Sequence, residues 1–399
     1  MINKKKLLVC MPDFPFPARK NGISIRYYPI LEELAKTFNI HLLVIAEGKV
    51  DQDGIQQAKE FCDKVSVYTR QPHPVSKLRK LTTRIKAFIP YQIPFDLIRY
   101  DEQLIANYIA QETRTATYDH ALCVLLPYQH LIKKIVRAKR YVLDLIDSPY
   151  STSMRTRGNS LIKHYDAQMM KLWERKTLKA TNYACYVSPL DRKLGAGENI
   201  DENKIGVIPN GLFLQDFSTD KVDYGCNTIG YLGHMGYPPN IKAALRLYAI
   251  FKARHKQLPN TKLVIIGRDP APEINALAKD PDVIVTGTVN NIWPYINGVN
   301  LFAFPMEIGS GQQNKLLEAM GAGKPVVSSA LGNSGIGARD RHDIIEANSN
   351  DEIGDAIVLL ANDPRYATEV GAAAKHFIER TYSWPSIFTQ IHRQLLNAH

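Results

Sequence analysis

Residues 301–320 read LFAFPMEIGSGQQNKLLEAM, and this stretch decides the fold. The apolar run at 301–304 predicts a buried strand, and the spacing of apolar residues over 313–320 predicts a short helix. Glycines at 309 and 311 let the loop between them turn tightly and approach a ligand closely. The N-terminus of the helix offers free N–H groups and a partial positive charge to that loop, which suits a phosphate group.

Two side chains on this helix extend the candidate site. Lys315 adds a full positive charge one turn in, and Glu318 offers a carboxylate that can hold a pair of sugar hydroxyls. A diphosphate joined to a ribose needs both features close together. The alternative is an ordinary helix connection in a doubly wound sheet, because short motifs match by chance. The candidate residues of this segment are Glu307, Gly309, Ser310, Gly311, Gln313, Asn314, Lys315, Leu317 and Glu318.

Working outward from this stretch, apolar runs and helical patterns alternate along the whole chain. Such alternation predicts an α/β fold with parallel sheets covered on both faces. A length of 399 residues suits two domains with separate cores. Predicted strands lie at 7–11, 41–46, 65–68, 121–125, 141–145, 183–187, 205–208, 228–231, 263–266, 283–286, 301–304 and 326–329. Predicted helices include 162–179, 240–253, 351–360, 365–379 and 386–397.

A polar, irregular stretch after Pro209-Asn210-Gly211 is the predicted boundary between two domains. We predict a first domain at 1–208, a linker at 209–226, a second domain at 227–383 and a C-terminal helix at 384–399 that returns to the first domain. No apolar run reaches the roughly 20 residues that a membrane-spanning helix requires. The five cysteines form no Cys-x-x-Cys pair, which favours buried reduced thiols and a cytoplasmic protein.

Charge is distributed unevenly between the two halves. Residues 1–208 hold 33 Lys and Arg against 21 Asp and Glu, whereas the remainder is nearly balanced. A basic half suggests an anionic partner. Residues 76–91 contain five cations and no acid, with apolar residues at helical spacing. This pattern fits either peripheral contact with the inner face of the cell membrane or with a lipid-linked acceptor, or a solvated helix that packs on its own domain.

The segment 307–320 resembles the donor-site signature of family 4 retaining glycosyltransferases, and weaker similarity covers most of the chain. The resemblance implies the GT-B fold, with two facing Rossmann-like domains. Glu318 matches the second Glu of the family pattern, which holds the donor ribose. The first Glu of that pattern is replaced by Ser310, so the donor sugar is held either by Glu307 or by the backbone of 309–311.

The resemblance extends to two glycine turns. Gly233 follows a predicted strand, and in many family members an Arg and a Lys after this glycine grip the diphosphate. His234 and the pair Pro239-Asn240 occupy those positions here, which leaves Lys315 and Arg268 to supply the missing charge. His234 is equally well explained as a surface histidine. In the first domain, Gly22 resembles the second glycine of a Gly-Gly turn, and Arg26 resembles the Arg that follows it and faces the donor phosphate.

Asp144 and Asp147 end a predicted strand, and we expect them on the same side of it. Asp147 lies nearest the end of the strand, where it either acts on the acceptor or sugar or caps the next helix. We expect Ser188 to cap the helix that follows it. The aromatic residues Trp293 and Tyr295 are more readily explained by packing than by contact with a base.

The resemblance implies transfer of a sugar from a nucleotide-sugar donor to a glycan or lipid-linked acceptor, as in bacterial surface-polysaccharide assembly. We expect no metal and no cofactor, with the nucleoside-diphosphate sugar as co-substrate. The rival enzymes of this fold are nucleotide-sugar epimerases and phosphorylases. A second rival is a basic, non-enzymatic protein that binds membrane or nucleic acid. No nucleic-acid-binding motif supports it, and we expect no nucleic-acid partner.

Overall fold

The protein is described by a computed structural model over residues 4–17, 22–48, 50–70, 102–156, 161–197, 201–214, 219–308 and 312–396. The chain divides into two compact units. Unit 1 comprises residues 1–209 and 388–399, and unit 2 comprises residues 210–387. The boundary falls after Pro209, so the stretch 210–226, which the sequence suggested as a linker, groups with unit 2.

Unit 1 is built on a parallel sheet of seven strands in the order β3-β2-β1-β4-β5-β6-β7. Its strands are β1 Lys5–Met11, β2 Phe38–Glu47, β3 Lys64–Arg70, β4 Thr117–Val124, β5 Arg137–Ile146, β6 Tyr183–Tyr186 and β7 Ile205–Val207. Its helices are α1 Gly22–Ala35, α2 Gln52–Phe61, α3 Glu102–Thr113, α4 Gln129–Ile135, α5 Pro149–Thr156, α6 Leu161–Ala180 and α7 Pro189–Ala196, with a 3-10 turn at Glu202–Lys204.

Unit 2 repeats the plan with six parallel strands in the order β10-β9-β8-β11-β12-β13. Its strands are β8 Asn227–Leu232, β9 Thr261–Ile266, β10 Val283–Val285, β11 Leu301–Phe304, β12 Val326–Ser328 and β13 Ile345–Glu346. Its helices are α8 Pro238–Arg254, α9 Pro272–Leu277, α10 Trp293–Gly298, α11 Asn314–Gly321, α12 Ala330–Asn333, α13 Asn350–Asn362 and α14 Pro364–Tyr382, and a last helix, α15 Trp384–Gln390, begins in unit 2 and ends in unit 1. A 3-10 turn at His255–Gln257 follows α8, and a π-helical turn at Ile391–Leu395 follows α15 in unit 1.

Twelve of the thirteen described strands overlap the predicted ones, and most of them contain a short apolar run, whereas the two-residue β13 was not predicted. Every residue of β11 and β12 is buried, as expected for a parallel sheet covered by helices on both faces. Ser188 caps α7, because its side chain accepts a hydrogen bond from the backbone N–H of Asp191, which confirms that prediction. All five cysteines are free, and all but Cys226 are buried.

Helix boundaries differ slightly from prediction. α11 begins at Asn314 rather than Gln313, which serves as its N-cap position. Helix α8 begins at Pro238, so Asn240 lies in its first turn. The predicted terminal helix at 386–397 begins earlier, at Trp384. Among the described residues, no helix is long and apolar enough to span a membrane.

The backbone around Pro209-Asn210-Gly211 is held closely on both sides of the unit boundary. Arg26, buried in unit 1, donates hydrogen bonds to the carbonyls of Ile208 and Pro209 at 3.0 Å each. Within unit 2, the backbone N–H of Asn210 donates to Gln312 Oε1 at 2.8 Å, and Gln312 Nε2 donates back to the Asn210 carbonyl at 3.0 Å. Arg26 therefore anchors residues 208 and 209 in unit 1, and Gln312 anchors Asn210 in unit 2.

Both sheets reverse strand order at a switch point, β1/β4 in unit 1 and β8/β11 in unit 2. In open α/β sheets, ligands bind outside the carboxyl ends of the strands at such a point. In unit 2, the loop after β8 and the loop before α11 both lie at this edge. The fold therefore places residues 307–308 and 312–318, which belong to the sequence motif, where a ligand site is expected.

Candidate functional site

The loops after β8 and β9 are pinned to each other at the carboxyl edge of the unit 2 sheet. The backbone N–H of Gly233 donates to the Ile266 carbonyl at 3.0 Å, and that of Met235 donates to the Arg268 carbonyl at 2.9 Å. Gly267 has a φ of +157°, and a Cβ at this position would overlap the carbonyl oxygen of Gly233. Only glycine permits this approach of the two backbones.

The buried side-chain amide of Asn240 makes three hydrogen bonds at this edge. Asn240, in the first turn of α8, is 6% exposed. Its Nδ2 donates to the His234 carbonyl at 3.0 Å, and its Oδ1 accepts from Tyr231 Oη at 3.3 Å and from Lys315 Nζ at 2.9 Å. The amide thus ties the loop after β8 to α11 and fixes the ammonium of Lys315. The sequence predicted Asn240 as a donor contact and missed this connecting role, since only the fold brings α8 and α11 together.

Lys315 and Glu318 lie one turn apart on α11, and both are half-buried. Burial lowers the pKa of Lys315 to about 8, although the Glu318 charge opposes the change. Burial raises the pKa of Glu318 to about 7, and Lys315 opposes this in turn. Within the part of the chain that the structure describes, the Glu318 carboxylate has no hydrogen-bond or salt-bridge partner. Burial without a partner is costly for a carboxylate, and such groups concentrate at functional sites.

The residues around these two are placed as follows. Gln313 is half-buried, and its backbone carbonyl accepts from Leu316 N–H at 3.0 Å. Asn314 is exposed at the start of α11. Leu317 is fully buried in the apolar core of unit 2, so its side chain does not line the site. This corrects the prediction of Leu317 as a donor-binding residue, because its apolar side chain is enclosed in the core.

Glu307 is engaged by cations of α8. Its carboxylate lies 2.5 Å from Lys242 Nζ and 3.7 Å from Arg246 Nε, and the hydrogen bond from Lys242 lowers the pKa of Glu307. Arg246 also donates to the Pro305 carbonyl at 3.2 Å and the Asn348 carbonyl at 2.6 Å. Sequence reasoning missed both cations, although their spacing of four residues on one helix was a signal that they share a face.

His234 and Arg268 are both exposed and both lie near Asp269. His234 Nε2 is 3.2 Å from Asp269 Oδ2, and Arg268 Nε is 3.8 Å from the same oxygen. The structure therefore brings Gly233, His234, Asn240, Arg268, Lys315 and Glu318 to loops and helix ends at one edge of unit 2. Trp293 and Tyr295 pack against the core of this unit, which confirms the packing explanation.

In unit 1, the structure places Arg26 inside a buried ion pair. It is 1% exposed, and its guanidinium lies 2.8 Å from Asp144 Oδ2, which also accepts from Tyr27 Oη at 2.6 Å. Arg26 also donates hydrogen bonds to the carbonyls of residues 208 and 209, so its guanidinium bonds to buried groups within the protein. Its predicted contact with a donor phosphate stays a prediction. Gly22 is exposed at the first position of α1, with open space around the place of a Cβ.

Asp144 and Asp147 do not share a side of β5. Asp144 is buried in the ion pair with Arg26, whereas Asp147 is exposed just after the strand ends at Ile146. The expectation was wrong because side chains alternate with a period of two, and a spacing of three places two residues on opposite faces. The following loop is anchored by Glu174, a fully buried carboxylate that the sequence did not single out.

Glu174 accepts from Tyr186 Oη at 2.7 Å, from Ser148 Oγ at 3.1 Å and from the backbone N–H of Tyr150 at 3.1 Å. Burial raises the pKa of Glu174 to about 7, against the effect of these donors. Of these donors, Ser148 and Tyr150 closely follow Asp147, so the carboxylate fixes the segment next to this candidate.

Two predicted features lie outside the described residues. They are the glycine loop at 309–311, with Gly309, Ser310 and Gly311, and the basic segment at 76–91. Among the described residues, no group of three or more His, Cys, Asp or Glu is arranged to hold a metal ion.

Comparison with known proteins relates part of unit 2 to a protein family and the whole chain to proteins of the same fold. Residues 226–363 match the family model described as glycosyl transferases group 1. An uncharacterized 44.6 kDa protein in the cps region of Klebsiella pneumoniae is 22% identical over 408 residues, which cover 98% of this chain and 99% of that protein.

Two solved structures share the fold. Sucrose-phosphate synthase from Thermosynechococcus elongatus is 14% identical, with a TM-score of 0.65 and coverage of 99% of this chain and 100% of that one. The Anabaena protein HepE in complex with UDP is also 14% identical, with a TM-score of 0.65 and coverage of 98% and 100%. The chain therefore has the GT-B fold predicted from its sequence, and its second unit carries the region that matches glycosyl transferases group 1.

Proposed function

We propose that the protein is a retaining glycosyltransferase that moves a sugar from a nucleoside-diphosphate sugar to a glycan or lipid-linked acceptor. The observation that carries the proposal is the half-buried Glu318 carboxylate, which has no hydrogen-bond partner among the described residues and lies one turn beyond Lys315 at the switch point of unit 2. A carboxylate in that state is suited to two hydroxyls of a ribose.

The ammonium of Lys315 is suited to the diphosphate. Asn240 holds it at 2.9 Å on the site edge of α11, where the free N–H groups of the helix N-terminus add partial positive charge. When the sugar–phosphate bond breaks, negative charge grows on the departing diphosphate. A positioned cation in a half-buried site stabilises that charge more than water does.

We assign Glu307 a supporting role. Its pairing with Lys242 and Arg246 links the segment after β11 to α8 and so fixes the entrance to the glycine loop. We further propose that Glu307, Ser310 or the backbone of 309–311 contacts the donor sugar. In unit 1, we propose the exposed Asp147 as the residue that orients the acceptor or the sugar.

UDP is the donor nucleotide that we propose to test first, because HepE binds UDP in its solved structure. The Klebsiella relative from the cps region favours the surface-polysaccharide branch of the proposal. A cytoplasmic location, with peripheral membrane contact through 76–91, remains part of the same proposal.

The direct test is incubation of the purified protein with a panel of nucleotide sugars, followed by detection of released UDP and of the sugar product by NMR. A glycosyltransferase releases UDP and yields a transferred or hydrolysed sugar, with the donor's anomeric configuration if the mechanism retains it. Conversion of the donor into an epimer would favour the epimerase, and phosphate-dependent release of a sugar phosphate would favour the phosphorylase. If no nucleotide sugar binds and duplex DNA binds in a strongly salt-dependent way, the basic binding protein replaces the enzyme.

A further inference from the structure

A cavity lies at the edge of the unit 2 sheet where β8 and β11 begin, opposite the edge that carries Asn240 and the N-terminus of α11. Its volume is about 520 Å³, and it is bounded by the first residues of β8 and β11, the turn between α11 and β12, and one face of α13 and α14. β8 has six residues, each advancing the chain by about 3.3 Å, so the two edges are roughly 20 Å apart. The cavity is separate from the proposed donor site because its lining contains none of the candidate donor residues. Along α11, Ala322 of the lining lies one turn beyond Glu318.

The charged side chains that line this cavity are all cations. Its lining includes Lys324 and Lys375 but no Asp or Glu. The floor is formed by Thr228 and Asn300, where Asn300 Oδ1 accepts from the N–H and the hydroxyl of Thr228 at 2.9 Å each. These bonds occupy the amide oxygen and leave the Asn300 NH₂ as the free end, with no partner among the described residues. The walls are apolar and include Leu360, Ala361 and Ala367.

Lys324 is a half-buried cation without a carboxylate. Its Nζ donates to the Asn297 carbonyl at 2.6 Å, and among the described residues it makes no salt bridge. Burial lowers the pKa of Lys324, and repulsion from Lys221 lowers it further. An anion beside Lys324 would relieve both effects, because it would replace lost hydration and neutralise the like charges.

The backbone geometry brings Lys375 to the same place. Gly323 has a φ of +73°, and a Cβ there would lie 3.7 Å from Cδ of Lys375. A Cβ on Gly371 would overlap the carbonyl of Gly323, so α14 packs directly on the turn that carries Lys324. The only described salt bridge of Lys375 is a long contact of 4.0 Å with the exposed Glu379. The ammonium is thus available for a stronger partner.

We propose that this cavity binds a small phosphate ester with a carbon body of about the size of a sugar. Lys324, Lys375 and the Asn300 NH₂ would hold the phosphate, because a lysine ammonium is a suitable point charge for that group. The remaining volume and the apolar walls would accept the carbon body, since pockets for small molecules are typically about 300–1,000 Å³. The site goes beyond the proposed function and does not depend on it.

The test is calorimetric titration of the full chain with glucose 6-phosphate in the presence of saturating UDP, which blocks the donor site. We expect glucose 6-phosphate to bind and glucose not to bind. Inorganic phosphate should bind at least about tenfold more weakly than glucose 6-phosphate, because it lacks the carbon body that contacts the apolar walls. The variant K324Q/K375Q should lose at least about tenfold in affinity, as expected for the loss of two charge-assisted contacts. The matched control K256Q/K279Q removes two exposed lysines elsewhere in unit 2 and should bind as the wild type does.

Two results would overturn the proposal. One is the absence of glucose 6-phosphate binding at about 10 mM, where even a ligand with a Kd near 1 mM would saturate the site. The other is equal affinity of K324Q/K375Q and the control, with thermal unfolding showing that both are folded. Failure of UDP itself to bind would count against the proposed donor site, but the comparison of the two lysine variants would still decide the cavity.

Discussion

Nζ of Lys315 lies 2.9 Å from Oδ1 of Asn240, so a buried amide on α8 fixes the cation of α11. The amide is in turn held by Tyr231 and by the carbonyl of His234. In the proposed donor site, this arrangement supplies a fixed cation beside a loop after β8 that contains no Lys or Arg. A charge that is held in place by its neighbours requires less reorganisation when it meets a phosphate.

Replacement of the amide tests this relationship. Asn240→Ala should weaken UDP binding by about tenfold, because Lys315 loses its acceptor and must be ordered when UDP binds. Calorimetry at one ionic strength measures the effect. Asn275→Ala is the matched control, since Asn275 also donates to a carbonyl but is exposed on α9. Equal loss in both variants would show that Asn240 has no special connection to the site.

The pH dependence of UDP binding should be bell-shaped in the protein. Glu318, with a pKa of about 7, accepts ribose hydroxyls best when ionised, so affinity should fall as the pH drops below 7. Lys315, with a pKa of about 8, must be protonated to attract the diphosphate, so affinity should also fall as the pH rises above 8. Calorimetry from pH 5.5 to about 9.5 covers both limbs.

Two variants separate these limbs. Glu318→Gln should remove the part of the fall in UDP affinity below pH 7 that protonation of Glu318 causes. Lys315→Met should remove the fall in UDP affinity above pH 8. UDP ionises in the same way in every sample, so its own titration remains in all profiles. A profile that is unchanged in both variants would exclude these groups from the site.

The ion pair of Arg26 and Asp144 should be structural. Arg26→Met should destabilise unit 1 by about 3–5 kcal/mol, because it leaves a buried carboxylate without its partner. The double variant R26M/D144L should recover much of this loss. Arg365→Met, which breaks an exposed pair on α14, should cost no more than about 1 kcal/mol. Urea denaturation followed by circular dichroism measures all of these changes.

The same variant decides whether Arg26 also binds the donor. If Arg26 is only structural, folded Arg26→Met should retain the wild-type affinity for UDP at a temperature well below its unfolding transition. A selective loss of UDP affinity in folded protein would instead support the contact that the sequence resemblance implies.

Glu174 should make the stability of unit 1 depend on pH. Its pKa is about 7 in the folded protein, above the value of about 4.3 for an unfolded chain. The folded state therefore binds the proton more tightly, and the stability that this contributes is present below about pH 4.3 and lost as the pH rises through 7. Relative to Glu174→Gln, the wild type should lose on the order of 3 kcal/mol across this window.

Thermal or urea unfolding at several pH values checks this prediction. Glu273→Gln is the control, because Glu273 is exposed on α9. A constant difference in stability between the wild type and Glu174→Gln over pH 4.5 to about 7.5 would contradict the account, since linkage requires the difference to change.

The strands were predictable because burial on both faces leaves a direct trace in the sequence. β11 reads Leu-Phe-Ala-Phe and is buried at every position. The position of Lys315 and Glu318 was predictable for a different reason. Their helix follows strand β11 and its loop directly in the chain, so its N-terminus must lie near the carboxyl end of that strand. The side-chain partners were not predictable. Glu307 pairs with Lys242 across 65 positions, and the distance between them depends on how α8 packs beside β11.

Buried polar residues were the main source of error. Arg26 lies in a helix whose pattern gives no sign that its guanidinium is enclosed, and its partner Asp144 is 118 positions away. Leu317 was included with the donor contacts because the motif contains it, yet its side chain belongs to the core. A motif identifies the segment of the chain that is expected near a ligand. The direction in which each side chain of that segment points depends on how its helix packs.

The most direct test of the central claim is calorimetric titration of Glu318→Gln with UDP at pH 7.5, beside the wild type and Glu273→Gln. The account predicts that UDP binds to the wild type and the control alike, and that Glu318→Gln loses at least about tenfold in affinity, as expected for charge-assisted hydrogen bonds to ribose. Equal affinity for UDP in all three proteins would contradict the claim that Glu318 holds the nucleotide.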